Sequence, residues 1–295
     1  MERHLVVGFD GGPMSMDAVE WAAGQAASRG ASLRILACDG VPADSLVGDA
    51  IGAVRDLVEA VEHEGTVALR KAQALHPLLD AALEVYPGPP ATVLVRESQR
   101  AELLVVGASG RRGAAAFWLG STARSVARHS TCPVAVVHGL ASSAATRRIV
   151  VGVDGSVETD AAVRWAADEA DRAGATLVIV HCWWYAYLPV NAPSSPARDI
   201  EEIEAARLLD RAVEAARERC GGDVVGMLLE GDPTTALLSV AVPGDVIVLG
   251  SPSHGAILSR VLGSTVNGVL EGSVVPVIVV PPAADEAARR TDAEL

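Results

Sequence analysis

Gly107-Ala108-Ser109-Gly110-Arg111-Arg112-Gly113, followed by Gly120-Ser121-Thr122, lies directly behind the apolar run Leu103-Leu104-Val105-Val106 and before a segment of helical character. That order reads as strand, glycine loop, helix start. Such a loop has backbone N–H groups free to hold an anion, and the helix dipole favours negative charge at the same point. A second version of the stretch runs from Gly250 to Thr265.

The duplication extends over the chain. Leu5-Val6-Val7-Gly8-Phe9-Asp10-Gly11-Gly12 returns as Ile149-Val150-Val151-Gly152-Val153-Asp154-Gly155-Ser156, at an offset of 144 residues. Ala18, Val19, Trp21, Ala22 and Ala23 match Ala162, Val163, Trp165, Ala166 and Ala167 in the same way. Gly107 and Gly120-Ser121-Thr122 match Gly250 and Gly263-Ser264-Thr265 at an offset of 143. A period this long marks a duplicated domain and exceeds that of a solenoid unit. The expected division is a first domain at 1–138, a linker at 139–147, a second domain at 148–282 and a charged tail at 283–295.

Half of the 295 residues are apolar, enough for two real cores. Val-rich runs alternate with Ala-rich stretches, the pattern of buried parallel strands and packed helices. In the first half the expected strands are Leu5–Phe9, Ser32–Cys38, Ala82–Tyr86, Leu103–Val106 and Pro133–Val137. The expected helices are Met14–Arg29, Ile51–His76, a short one from Gly88-Pro89-Pro90 to Ser98, and one from Ser121. Asp39–Gly48 reads as a polar loop. In the second half strands are expected near Arg148–Val153, Thr176–Cys182, Val224–Leu229, Val246–Leu249 and Val277–Val280, with a loop at Trp183–Ala197. The fold class that follows is α/β, two tandem doubly wound domains, each with a five-stranded parallel sheet.

Several classes of function are excluded or disfavoured. A formal net charge of -13 argues against a nucleic-acid surface, which needs a basic patch. The cysteines Cys38, Cys132, Cys182 and Cys220 have no CxxC spacing, which disfavours structural zinc and disulfides. Met1–Gly8 enters a strand at once, and no apolar run is long enough to span a bilayer, so a cytoplasmic protein with no membrane partner is expected. Lys71 is the only lysine and lies in a charged helical stretch, so no Gly-Lys-Ser/Thr phosphate loop exists.

Ligands of open parallel sheets bind beyond the carboxyl ends of the strands, at the switch in strand order. Each half places two conspicuous features at such ends: the Asp after the first strand, Asp10 or Asp154, and the glycine loop after the fourth. An Asp there accepts hydrogen bonds from a ribose or orients a metal-bound water; equally, it caps a turn before the next helix. Ser121 and Thr122 add hydroxyl and N–H donors, and Arg111 and Arg112 offset phosphate charge.

Both halves resemble the universal stress protein family, in its tandem-domain form. The family's ATP-binding members carry Gly-x2-Gly-x9-Gly-Ser/Thr, and Gly107-x2-Gly110-x9-Gly120-Ser121 satisfies it. Val7–Gly12 resembles the family's first strand and turn, and Pro133–Val137 its closing strand. The resemblance implies a Rossmann-like fold of the adenine nucleotide alpha hydrolase type and an adenine nucleotide, ATP with Mg²⁺, in each half. Gly8 and Asp10 would lie by the ribose and phosphates, Ala37-Cys38 would meet the adenine through backbone groups, and Gly107–Gly113 with Gly120, Ser121 and Thr122 would wrap the triphosphate. In the second half these roles fall to Gly152, Asp154, His181-Cys182, Gly250, Ser251, Pro252, Ser253, His254, Gly255, Ala256, Gly263, Ser264 and Thr265. Ser253 departs from the pattern where the middle glycine is required, His254 replaces Arg111, and Pro252 stiffens the loop, so the two halves need not be equal.

The resulting expectation is a nucleotide-dependent stress-response regulator with slow or no hydrolysis and no catalytic residue. The alternatives are a nucleotide-free stress-related interaction scaffold and a weak ATPase. Pairing through the last strand of each half, within the chain or as a homodimer, is expected, along with a protein partner of unspecified kind. His129, Cys132 and His138 are read as core or surface residues and not as a metal set, since Cys132 and His138 stand at opposite ends of a strand. Trp21 and Trp165 are expected in the core. Trp183-Trp184-Tyr185-Ala186-Tyr187 either covers the second site's base, forms a partner surface or packs on the following helix.

Overall fold

The computed structural model describes residues 3–41, 50–109, 119–139, 146–184, 196–251 and 262–282. The chain divides into two compact units, Met1–Ser143 and Ala144–Leu295. The first runs β1 (His4–Phe9), α1 (Pro13–Arg29), β2 (Ser32–Cys38), α2 (Ala50–Leu75), β3 (Ala81–Tyr86), α3 (Pro90–Glu97), β4 (Leu103–Gly107), α4 (Ser121–His129) and β5 (Val134–Val137). The second repeats it as β6 (Arg148–Val153), α5 (Val157–Ala173), β7 (Thr176–Trp183), α6 (Pro196–Arg217), β8 (Val224–Glu230), α7 (Pro233–Val240), β9 (Asp245–Gly250), α8 (Ser264–Gly272) and β10 (Val277–Val280).

The strands form because short β-branched and leucine runs fit a sheet buried on both faces. Leu5, Val6 and Val7 of β1 are fully buried, as are Leu103, Leu104 and Val105 of β4. Within the first unit the strands are all parallel, in the order β3-β2-β1-β4-β5. The second unit has the same order, β8-β7-β6-β9-β10. The chain therefore winds outward from β1 or β6, then crosses to the other side, and the switch points lie between β1 and β4 and between β6 and β9.

Helices cover both faces. In the first unit α1 packs with α2, and α3 with α4. Glycines near the strand ends separate the two layers. A Cβ at Gly8 would meet Leu94 of α3, whereas one at Gly107 on β4 would meet Met14 of α1. Helix α1 buries Ala18, Val19, Trp21, Ala22, Ala23 and Ala26, small groups that bring its axis close to the sheet. It ends at Gly30 and α5 at Gly174, both at φ 61°, a left-handed cap that other L-residues rarely adopt. Trp21 is buried as expected, but Trp165 is only half-buried.

At the amino end of the second sheet, Arg148 and Asp245 are registered partners on β6 and β9. The Arg148 guanidinium reaches Asp245 at 2.5 Å and donates to the Val240 carbonyl at 3.0 Å. Asp245 also accepts the Val242 N–H at 2.9 Å. The buried carboxylate is thus fully satisfied, at the end of the strand pair opposite the site.

Two boundaries close in on the loop expected at Trp183–Ala197. Strand β7 continues through Trp183, because the Trp183 carbonyl accepts the Gly231 N–H at 3.0 Å and prolongs the ladder with β8. Helix α6 begins at Pro196, which shortens the expected loop at both ends. Parts of the Asp39–Gly48 loop and of the linker, and the tail beyond Pro282, lie outside the described residues.

Candidate functional site

The switch points bring the first-strand Asp and the start of the glycine loop together. Strand β1 registers with β4 as Val7↔Val105, and β6 with β9 as Val151↔Val248, so Asp10 and Ala108, or Asp154 and Ser251, leave the sheet side by side. Both carboxylates are exposed. Asp10 Oδ1 accepts the Gly12 N–H at 2.9 Å, and Asp154 Oδ1 accepts the Ser156 N–H at 2.9 Å. Thr159 Oγ1 also donates to Asp154 Oδ1, at 3.2 Å. Both residues thus organise the turn before the next helix, which is the capping reading of the Asp-Gly pair. That role fixes where each carboxylate stands.

Gly107 and Gly250 are glycines for a steric reason. A Cβ at Gly107 would sit 2.7 Å from the Met14 carbonyl oxygen, and one at Gly250 would sit 2.6 Å from that of Glu158. The first turns of α1 and α5 thus press against the ends of β4 and β9. Gly8 and Gly152 are likewise set by packing, against Leu94 and Leu237. Ala108 N–H extends the sheet by donating to the Val137 carbonyl at 2.8 Å, as Ser251 does to Val280 at 2.8 Å. Ser109 is buried, and its hydroxyl donates to the Met14 sulfur at 2.8 Å. The Gly120 N–H then donates to the Ala108 carbonyl at 2.7 Å, which pinches the base of the loop shut. The loop residues Gly110, Arg111, Arg112 and Gly113, with Pro252, Ser253, His254, Gly255 and Ala256 in the second unit, lie outside the described residues.

Helices α4 and α8 start on Gly120 and Gly263, and neither has a side-chain cap. In the first unit α1 and α3 also start without a side-chain cap, on Gly12 and Pro89, whereas in the second unit α5 and α7 are capped. Ser156 accepts from Thr159 N–H at the head of α5, and Asp232 from Thr235 N–H at the head of α7. The Thr235 bonds hold the Asp232 carboxyl below its usual range. The first-turn N–H groups of α4 and α8 therefore face the switch points without an internal acceptor from a capping side chain, beside the hydroxyls of Ser121 and Thr122 or Ser264 and Thr265.

The second-strand ends differ between units. In the first, Cys38 is half-buried; burial first, and Asp39 second, push its thiol up to about 11. Asp39 Oδ1 accepts the N–H groups of Val41 and Gly88, each at 2.9 Å, tying the exit of β2 to the turn before α3. In the second unit Cys182 is also half-buried and its thiol is raised, by burial and then by Asp232. Here the ends of β6 and β7 and one face of α6 enclose a cleft of ≈ 600 Å³. Asp154, His181, Cys182, Trp183 and Trp184 line it from the strand side; Glu201, Glu204, Ala205, Arg207, Leu208 and Arg211 line it from α6. His181 is buried and its Nδ1 lies 2.8 Å from the Val153 carbonyl oxygen. The Arg198 guanidinium lies 5.7 Å from the Trp183 ring, so Trp183 packs on the following helix, while Trp184 is exposed at the cleft. Tyr185, Ala186 and Tyr187 lie outside the described residues.

The α6 residues were missed in the sequence, although Glu201, Glu204, Leu208 and Arg211 fall at helical spacing and could have been grouped on one face. A larger hollow of ≈ 660 Å³ lined by Arg3, Ser32, His76 and Asp80 lies at the amino ends of the first unit's strands, where parallel sheets do not bind ligands. Among the described residues no group of three His, Cys, Asp or Glu is placed to hold a metal ion, and no helix is long and apolar enough to cross a membrane.

Comparison with known proteins returns one family. Residues 1–138 and 145–281 each match the universal stress protein family. A universal stress protein of Mycobacterium tuberculosis is 31% identical over 291 residues, covering 94% of this chain and 97% of the relative. The crystal structure of a universal stress protein from Archaeoglobus fulgidus, 23% identical, covers 96% of this chain and 97% of its own with a TM-score of 0.68, a likeness of fold. A second universal stress protein from that organism, solved in complex with dAMP, is 27% identical and covers 46% of this chain and 99% of its own, with a TM-score of 0.36.

Proposed function

The chain belongs to the universal stress protein family, and from that premise we propose that it binds ATP at the carboxyl ends of its sheets and acts as a nucleotide-dependent regulator, loaded or empty, in a stress response. The observation that carries the reading is the pair of uncapped helix starts, α4 and α8, opening on the switch points beside Asp10 and Asp154. Phosphate oxygens are the acceptors that such a start lacks.

The residues fit the group. In the first unit the N–H groups of Ser121 and Thr122, with their hydroxyls, hold phosphate; Asp10 meets the ribose; the backbone at Ala37 and Cys38 meets the base. In the second unit Ser264, Thr265, Asp154, His181 and Cys182 take these parts, and the cleft of ≈ 600 Å³ is of the size that encloses a small ligand. Mg²⁺ bound with the phosphates would neutralise part of their charge. The only lysine, Lys71, pairs with Glu20 at 3.3 Å on the helix layer and so is committed elsewhere. Holding by backbone N–H, hydroxyl and arginine groups without a phosphate lysine suits retention of the nucleotide better than rapid transfer.

Nucleotide analysis of the purified, heat-denatured protein tests the reading. Release of adenine nucleotide is expected, and ATP at a hundredfold excess over Kd should raise Tm by about 5–10 °C. Gly110→Asp should lower the binding stoichiometry. Failure to release adenine nucleotide, together with an unmoved Tm, sinks the proposal.

A further inference from the structure

We propose that the second unit takes a nucleotide with an additional phosphate monoester on its ribose, at the 2′ or 3′ oxygen, and that Arg207 and Arg211 of α6 receive that group. The inference rests on the nucleotide reading above and specifies the ligand of the second unit.

Two contacts fix how α6 lies over the strand ends. Near its head, Arg198 donates to Glu230 at the end of β8 at 2.6 Å and stands 5.7 Å from the Trp183 ring at the end of β7. Further along, Leu208 lies against the turn after β6, where a Cβ on Gly155 would come within 2.6 Å of its Cδ1. The stretch from Arg207 to Arg211 therefore stands at the β6 exit, beside Asp154, and Glu201 and Glu204 stand nearer the β7 exit. All of these groups line one cleft, which is acidic towards Trp183 and Trp184 and basic towards Asp154.

Arg207 and Arg211 are four positions apart and share a face of the helix. Among the described residues neither makes a hydrogen bond or an ion pair. The other two arginines of α6 are engaged, Arg198 as above and Arg217 with the Val224 carbonyl at 3.3 Å. A guanidinium does not lose its charge, so this wall of the cleft is a fixed pair of cationic forks. The first unit has no such wall. Leu209 and Ala216 of α6 are buried as Gly65 and Ala72 of α2 are, at an offset of 144, and that offset puts His63 and Val67 where Arg207 and Arg211 stand.

A nucleotide whose 5′ phosphates lie at the head of α8 and whose ribose lies at Asp154 turns its 2′ and 3′ oxygens towards α6. A free hydroxyl there gives a guanidinium only a neutral acceptor. A monoester gives it three oxygens and about two negative charges, the geometry and charge that an arginine fork matches. Arginine beside the ribose is a device by which open parallel sheets accept a 2′-phosphate. Asp154 is left to accept from the remaining hydroxyl.

Calorimetric titration of the full chain with adenosine 5′-monophosphate, adenosine 2′,5′-bisphosphate and adenosine 3′,5′-bisphosphate tests the proposal, with ATP as the reference. The titrations use the parent chain, Gly110→Asp, which leaves the second unit to be read alone, and Gly110→Asp combined with Arg207→Gln and Arg211→Gln. Glutamine keeps the helix propensity of arginine. In the second unit at least one bisphosphate should bind about tenfold tighter than the monophosphate. The arginine substitutions should erase that gain. Equal affinities for the three ligands in the second unit, or a gain that survives both substitutions, overturns the proposal and leaves the nucleotide reading standing. Binding to the parent chain that vanishes with Gly110→Asp does the same. A parent chain that binds neither these ligands nor ATP overturns both. Where a variant fails to fold, the comparison of the three ligands on the parent chain decides: one of its sites should favour a bisphosphate, and equal affinities overturn the proposal.

Discussion

Single residues at the strand ends answer to packing before they answer to a ligand. Gly107 begins the phosphate-loop pattern, yet its missing Cβ is demanded by the Met14 carbonyl 2.7 Å away. The contact is with backbone, so no rotamer change relieves it. Gly107→Ala should therefore destabilise the unfolding transition of the protein by about 1–3 kcal/mol in urea, with or without nucleotide. A variant as stable as the parent would show that α1 yields easily and that Gly107 is there for the ligand alone. Nothing in the string Val-Val-Gly distinguishes these causes. The steric one depends on how close α1 passes to β4, a distance set by residues some ninety positions earlier. His181 was named from the sequence for its backbone, but the placement of its ring was hidden for a similar reason: it depends on a bond to a residue on another strand, 28 positions away, and a sequence does not display register.

Among the elements, the helices of the second unit separate support from site: α5 and α7 are closed at their heads by Ser156 and Asp232, whereas α8, like α4 in the first unit, begins on a bare glycine. Gly120 has φ −61° and ψ 152°, extended backbone that any residue adopts. Gly120→Asp should thus cap α4, leaving the nucleotide-free melting temperature equal or higher, by up to about 1 kcal/mol of stability, and should abolish the ATP-induced shift in the first unit. Thermal scans with and without ATP check this; an undiminished shift would place the phosphates elsewhere. The helix and strand order was readable from Val-rich runs and Ala-rich stretches, because burial on both sheet faces imposes that composition. Element ends were less readable. The last residue of β7 is decided by one hydrogen bond from Gly231, across the sheet, and Trp183 itself reads as well in a loop as in a strand.

At the scale of the whole molecule, the internal repeat made the fold accessible. Two copies of one pattern, each ending strands on Asp and on Gly, allowed one half to be read against the other. The net charge of -13 is a property of the whole chain and bears on the kinetics of an anionic ligand. On the proposed function the chain repels a nucleotide at long range, while the site would hold it by N–H groups at short range, where salt screens little. Added salt should therefore raise the association rate of ATP between about 10 mM and 150 mM ionic strength, with little change in the dissociation rate. Stopped-flow measurement with a fluorescent ATP analogue decides it; a rate that falls with salt would mean that Arg111 and Arg112 steer the ligand. The pinch at the base of the first glycine loop has a practical consequence. Because Gly120 and Ala108 are joined at 2.7 Å, the two ends of the intervening segment emerge together from a rigid frame. That pair of ends is a socket. A reporter domain with closely spaced termini, spliced there, would leave β4 and α4 in place and convert occupancy of the site into light.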